Sequence, residues 1–110
     1  MDEFPISTST VHDVLIPFYS SYWGVSELLM DSIVQCESKY QNTTVNYNPP
    51  REISVGLVQI NLLAHKNIAK HTAMNSFFSL NFLGEALSKG QISMWLGSKA
   101  CWSPLAYTGG

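Results

Sequence analysis

Hydrophobic residues recur at helical spacing from residue 11 to residue 38. In the first stretch, 11–22, they form a broad apolar face that contains Pro17, which interrupts a helix or begins one. Gly24 separates this stretch from Ser26, whose side chain favours the N-cap of a helix. Apolar positions spaced by about one helical turn follow: Leu28, Leu29, Ile33 and Cys36. The pattern predicts a core-packed helix that starts after Ser26 and ends near Glu37 or Ser38.

The middle of the chain has a different pattern. Turn-forming and β-branched residues dominate 40–50, and 48–51 are typical of a turn between two extended segments. The second segment, 53–60, is rich in Ile and Val and is broken by Gly56, where the backbone must bend or be approached closely. These features predict one small β-hairpin.

Helical spacing returns in the last part of the chain. We predict helices over 62–70 and 75–89, with Gly90 as the C-terminal cap of the second. A shorter helical segment over 91–96 is expected to end at Gly97. The predicted fold class is α+β, mostly helical with one hairpin. The 110 residues suffice for one domain, 1–110, with a proper hydrophobic core.

Composition narrows the class of partner. Charged residues make up only 13% of the chain, so its surface polarity comes largely from hydroxyl and amide side chains, which suit an uncharged, hydroxyl-rich ligand. The net charge of −2 and the scattered basic residues argue against nucleic acid. No apolar run reaches the roughly 18 residues of a membrane span. The N-terminus lacks the pattern of a signal peptide, so either export uses another route or the chain begins after the signal.

The cysteines and histidines do not predict a metal site. Cys36 and Cys101 are far apart, without the spacing of a zinc site, and the three histidines lack metal-ligand spacing too. The two cysteines form a disulfide in an oxidising compartment, or they are two small buried thiols. No metal and no cofactor is expected.

Glu37 is the candidate for chemistry. It falls at the C-terminal end of the predicted apolar helix, where the helix dipole and burial both raise the pKa of a carboxyl group. A carboxylic acid that is still protonated near neutral pH can protonate the leaving oxygen in glycoside cleavage. The alternative is a solvated or salt-bridged glutamate at a helix end.

Two segments around Glu37 carry a family resemblance. Glu37-Ser38 opens the polar loop in CESKYQNTTVNYNPP, and SVGLVQI follows at 54–60. In this order they resemble the core of lysozyme-like lytic transglycosylases, over about 24–110 of the chain. The resemblance implies a lysozyme-like fold whose hairpin lines a glycan cleft, action on peptidoglycan strands at the cell wall, Glu37 as acid and then base, and a monomer.

The resemblance also implies substrate contacts for Ser38, Ser54, Gln59 and Asn61. Asn61 could equally cap the predicted helix that follows it. The segment 105–109 resembles a degenerate form of the family's last active-site motif, which makes Tyr107 a further candidate, although Thr108 and Gly109 depart from the pattern.

Two tryptophans near the end of the chain receive different predictions. Trp95 is expected in the core because it lies in an apolar helical segment. Trp102 is expected near the cleft, and a different alignment of the last motif runs through it.

Position 54 bears on the type of reaction. Animal-type lysozymes carry an aspartate where this chain has Ser54, so the pattern resembles the transglycosylases, in which the sugar's own 6-hydroxyl attacks. Glu52 is expected to be a solvated hairpin charge near Arg51, but a bulge would bring it to the cleft and favour hydrolysis, as in a muramidase. A non-catalytic glycan-binding or virion structural module is the other alternative.

Overall fold

The computed structural model describes residues 5–107, which form an α+β fold that is mostly helical. The helices are α1 (8–23), α2 (Glu27–Ser38), α3 (Lys70–Met74), α4 (Ser76–Ser88) and α5 (Lys99–Tyr107), with a 3₁₀ helix (Ile92–Ser98) leading into α5. The strands are β1 (Val45–Asn48), β2 (Glu52–Val55) and β3 (Ile60–Asn61). They form an antiparallel sheet in the order β1-β2-β3.

Helix α1 passes through Pro17 without a break. Its segment Val11–Leu15 is π-helical, and the α-helical Ile16–Trp23 follows directly. Proline has no N–H, and its ring clashes with the carbonyl four residues earlier, so a wider turn just before it lets the helix continue. Gly24 ends the helix in a left-handed conformation, with φ at +67°. The predicted interruption is therefore a local widening.

Helix α2 begins where the sequence predicts. The Ser26 side chain accepts a hydrogen bond from the Leu29 N–H, which caps the helix. Ile33 is buried in the core and Leu29 and Cys36 pack against it as expected, but Leu28 is 49% exposed. Met30 and Val34 are the further core residues of this helix. The helix ends at Ser38, so Glu37 occupies its last turn as predicted.

The break predicted at Gly56 is confirmed, because the chain bends there. A turn over 56–59 separates β2 from β3, so the sheet is three-stranded and not a single hairpin. At this turn Gly56 has φ at +89°, and a Cβ atom there would lie 2.0 Å from the Ala73 carbonyl oxygen. Only glycine fits such a close approach.

The last part of the chain agrees with the prediction in one element and departs from it in two others. Helix α4 is confirmed, since the Asn75 side chain caps it and Gly90, with φ at +73°, follows its end. The helix predicted over 62–70 is wrong: turns occupy this stretch, and a helix forms only at Lys70–Met74. The segment 91–96 does not end at Gly97, because the 3₁₀ helix continues into α5.

The core lies between α1, α2, α4, α5 and the sheet. Trp95 is buried there as predicted, but the prediction of Trp102 near a cleft is wrong, since its side chain is 2% exposed and its indole N–H donates to the Trp95 carbonyl. The disulfide alternative holds for the cysteines: Cys36 and Cys101 are bonded and join α2 to α5. No helix within 5–107 has the length and apolar character needed to cross a membrane.

Candidate active site

A polar cavity of about 550 Å³ opens between the end of α2, one face of the sheet and the 3₁₀ helix. Its walls bring together parts of the chain that are more than 60 residues apart. They are formed by Cys36, Glu37, Asn46, Arg51, Glu52, Ser54, Gln59, Asn61, Met94, Trp95, Gly97 and Ser98. Four of the candidates from the sequence are among them: Glu37, Ser54, Gln59 and Asn61.

The sheet wall of the cavity is a row of small polar side chains. Asn46 on β1 pairs with Ser54 on β2, and Ser54 pairs with Asn61 on β3. Directly paired residues project on the same side of a sheet, and alternation places Glu52 on the side of Ser54. The register therefore explains why these side chains face the cavity together.

Glu37 projects into this cavity from the last turn of α2, half-buried. Burial raises the pKa of its carboxyl group, and the charge of Glu52 raises it further. The Ser98 hydroxyl donates a hydrogen bond to Glu37 Oε2, which opposes these effects by stabilising the carboxylate. The net direction is upward, so Glu37 holds its proton to higher pH than an ordinary glutamate.

Glu52 lies in the same cavity and does not pair with Arg51. Its Oε2 accepts a hydrogen bond of 2.6 Å from Ser54 Oγ, so Ser54 orients this carboxylate. The prediction that Glu52 is a solvated hairpin charge near Arg51 is therefore wrong, because Glu52 faces the cavity that Glu37 enters. Two carboxyl groups meet there, one from α2 and one from β2.

Gln59 has a structural task in the cavity wall. Its Nε2 donates to the carbonyls of Thr44 and Gly56, at 3.2 and 3.0 Å, and its Oε1 accepts from Asn46 at 2.6 Å. A carboxamide has two N–H donors, and both are used here. Gln59 therefore fixes the left-handed bend at its own backbone, where φ is +55°.

Asn61 keeps its donors available. Its Oδ1 accepts from the backbone N–H groups of Ile53 and Leu63, at 3.2 and 3.1 Å, so it bridges β2 and the following turn and caps no helix. Its Nδ2 makes no hydrogen bond to the side chains and backbone described in 5–107. This amide can donate to a ligand in the cavity.

Three other candidates lie away from the cavity wall. Ser38 is buried and its hydroxyl donates to the Val34 carbonyl. Tyr107 is 62% exposed at the end of α5 and Trp102 is in the core, and neither lines the cavity. Thr108 and Gly109, which complete the predicted last motif, lie outside the described residues.

Sequence reasoning missed Asn46, Arg51 and Ser98 as cavity residues. Asn46 had a detectable signal, because the alternation of β1 with β2 across the turn puts it opposite Ser54. The sequence places Arg51 only as a neighbour of Glu52, with no signal that it faces a cavity. Ser98 reaches Glu37 across 61 residues of chain, and no local pattern indicates such a contact.

A second cavity of about 220 Å³ adjoins the first. The two share Gln59, Asn61, Met94 and Trp95, and the second adds His65 and Phe82, whose rings meet edge to face at 5.4 Å. Together they form a groove with a polar end at Glu37 and a more apolar end at Phe82. Such a groove suits an extended ligand with both hydroxyl groups and apolar faces.

Over 5–107 no three His, Cys, Asp or Glu side chains come together in a way that could hold a metal ion. The chain matches no protein-family model, no curated protein and no solved structure. The geometry of the groove and the chemistry of its side chains are therefore the basis for a functional proposal.

Proposed function

We propose that the protein is a peptidoglycan lytic transglycosylase that cleaves the bond between N-acetylmuramic acid and N-acetylglucosamine, with Glu37 as general acid and then general base. The observation that carries the proposal is Glu37 itself: a half-buried carboxyl group with a raised pKa, projecting into a polar cavity. Such a group is protonated where an ordinary glutamate is ionised, as a general acid requires.

The proposed reaction needs a single carboxyl group, that of Glu37. Glu37 gives its proton to the glycosidic oxygen as the bond to the anomeric carbon breaks, and the resulting carboxylate accepts the Ser98 hydrogen bond. The 6-hydroxyl of the same muramyl unit then attacks that carbon and passes its proton to Glu37. The acid is regenerated, and the product is a 1,6-anhydro sugar formed without water.

The wall of the cavity suits such a substrate. The amides of Asn46 and Asn61 offer uncharged hydrogen-bonding groups for sugar hydroxyl and acetamido groups. The rings of His65 and Phe82 add an aromatic surface in the adjoining second cavity. The peptidoglycan substrate itself comes from the resemblance of residues 37–60 to lytic transglycosylases.

Replacement of Glu37 by Gln tests the acid. Clearing of a cell-wall suspension by Glu37→Gln is expected to fall by about 10²-fold or more, because general acid catalysis is lost. Glu27→Gln is the matched control: it changes an exposed glutamate in the first turn of the same helix and should clear the suspension at the wild-type rate. Equal clearing by Glu37→Gln would remove the acid role and favour a glycan-binding module without catalysis.

Hydrolysis is the second candidate, and the position of Glu52 favours it. A second carboxylate that shares the cavity could take a proton from water while the water oxygen attacks the anomeric carbon. Mass spectrometry of the products separates the two reactions, since hydrolysis leaves reducing ends and transglycosylation leaves anhydro ends. Loss of activity in both Glu52→Gln and Glu37→Gln, with reducing ends from the wild type, would establish hydrolysis.

A further inference from the structure

Arg51 is the one cationic side chain among the residues described as lining the main cavity. It follows the Pro49–Pro50 pair in the turn between β1 and β2, and its backbone N–H is fixed by a 3.0 Å hydrogen bond to the Asn48 carbonyl. The side chain is exposed at the rim. Its position brings a positive charge to the same cavity as Glu37 and Glu52.

Arg51 is not used to neutralise either carboxylate. Glu52 accepts its hydrogen bond from Ser54, and Glu37 accepts from Ser98. The ion pairs present within 5–107 involve His12 and Lys89, and the guanidinium of Arg51 takes part in none of them. A guanidinium presents a planar fork of N–H donors that matches a carboxylate, so its free fork in a cavity is suited to a carboxylate on the ligand.

We propose that Arg51 binds the free lactyl carboxylate of a muramyl unit, and that the protein thereby prefers glycan strands without peptide stems. This inference rests on the proposed function. The muramyl lactyl group ends in a free carboxylate in a peptide-free strand, whereas in a peptide-bearing strand that carbon is an amide. The charge of the lactyl group therefore distinguishes peptide-free strands from peptide-bearing strands.

The rest of the cavity is consistent with this selectivity. Its other polar walls are amides and hydroxyls, which bind a neutral sugar without regard to charge, and the Glu52 carboxylate repels an anion. A bound carboxylate therefore has a single favourable position, against Arg51. The selectivity is assigned to this one side chain.

Affinity measurements on a non-cleaving background test the proposal separately from catalysis. Calorimetry compares Glu37→Gln with Glu37→Gln/Arg51→Gln, using two muramyl tetrasaccharides that differ only in the lactyl group: the free acid and its primary amide. The free acid is expected to bind about tenfold more tightly than the amide when Arg51 is present, because a charge-assisted pair is lost in the amide. The Arg51→Gln protein is expected to bind both equally.

Lys66→Gln in the same background is the control, since Lys66 is an exposed cation outside the cavity walls. It should keep the preference for the free acid. Equal preference in the presence and absence of Arg51, or no binding of either tetrasaccharide, overturns the proposal. Product analysis with the wild-type protein then tells whether the cleavage proposal also fails, because it does not depend on the acid-to-amide ratio.

Discussion

The pKa of the Glu37 carboxyl group is set by opposing effects, and single substitutions can separate them. Burial and the neighbouring charge of Glu52 disfavour the carboxylate, and the hydroxyl of Ser98 favours it. A general acid works only while it holds its proton, so the activity of the proposed enzyme should decline as pH rises through the pKa of Glu37. The position of that decline reports on the balance at this one residue.

Replacement of Ser98 by Ala changes the balance in a known direction. The hydrogen bond that stabilises the Glu37 carboxylate is lost, so the pKa of Glu37 rises further. The alkaline limb of the pH–rate profile is expected to move to higher pH. Ser93→Ala, an exposed position on the same 3₁₀ helix, should leave the profile unchanged. A shift of the Ser98→Ala limb to lower pH would contradict this account.

Gly56 is expected to tolerate no side chain. In Gly56→Ala the added methyl group meets the Ala73 carbonyl, and the left-handed backbone adds strain, so the free energy of unfolding should fall by at least about 3 kcal/mol. Gly24→Ala is the matched control, because Gly24 has a similar φ but open space around the added atom, and it should cost only about 1 kcal/mol. Urea denaturation measures both, and equal losses would refute the steric argument.

At the scale of the elements, the helices with local end signals were the ones that could be predicted. The side chains of Ser26 and Asn75 cap α2 and α4, and Gly24 and Gly90 follow helix ends, all through contacts within a few residues. The stretch 62–70 has helical spacing too. Its start is held by Asn61, whose Oδ1 accepts from Ile53 on another strand, so a tertiary contact decides its conformation.

The candidate site, like the helices, was predictable only where the sequence carries a local signal. Glu37 follows from the position of a helix end, and Ser54 and Asn61 lie on a recognisable segment. Ser98 and Arg51 join them only through the way the 3₁₀ helix and the β1–β2 turn pack around the cavity. Gly56 indicates the bend that divides 53–60 into β2 and β3, but the left-handed backbone of Gln59 and the pairing of the third strand have no signal in the local pattern of Ile and Val.

A histidine links the first two helices and gives a pH-dependent prediction. His12 on α1 lies 3.6 Å from Asp31 on α2, and its other ring nitrogen is 2.6 Å from Asp13. The hydrogen bond with Asp13, and then the charge of Asp31, raise the pKa of His12. Tyr40 donates to the other carboxylate oxygen of Asp31, and burial is the first cause that raises the pKa of Tyr40 to about 12.

The raised pKa of His12 determines how the stability of the fold changes with pH. The folded protein holds the His12 proton more tightly than the unfolded chain, so the stabilisation is complete below the unfolded pKa, near 6.5, and is lost as pH rises through the higher folded value. His12→Gln should flatten this part of the stability–pH curve in thermal unfolding. His71→Gln, at an exposed position on α3, should retain the wild-type slope. The effect is small because the His12 side chain is 53% exposed.

Across the whole molecule, the disulfide joins the helix that carries Glu37 to the last helix of the described chain. Cys36 and Cys101 are separated by 65 residues, so the bond removes much of the freedom of the unfolded chain. The variant Cys36→Ser/Cys101→Ser should lose about 4 kcal/mol of unfolding free energy in urea denaturation. Wild-type protein treated with a reductant should show a similar loss, and a change below about 1 kcal/mol in both would contradict the constraint.

The hydrogen bonds of Gln59 separate the residues that shape the groove from those that act in it. Its amide holds Thr44 and Gly56 in place, so the segment SVGLVQI encodes the bend that brings the sheet face to the groove. A chain that keeps this segment therefore keeps the bend, whether or not it has an acid at the position of Glu37. The proposed chemistry depends instead on Glu37, Ser98 and Arg51, which lie outside that segment, so the shape of the groove and the reaction in it can change independently of each other.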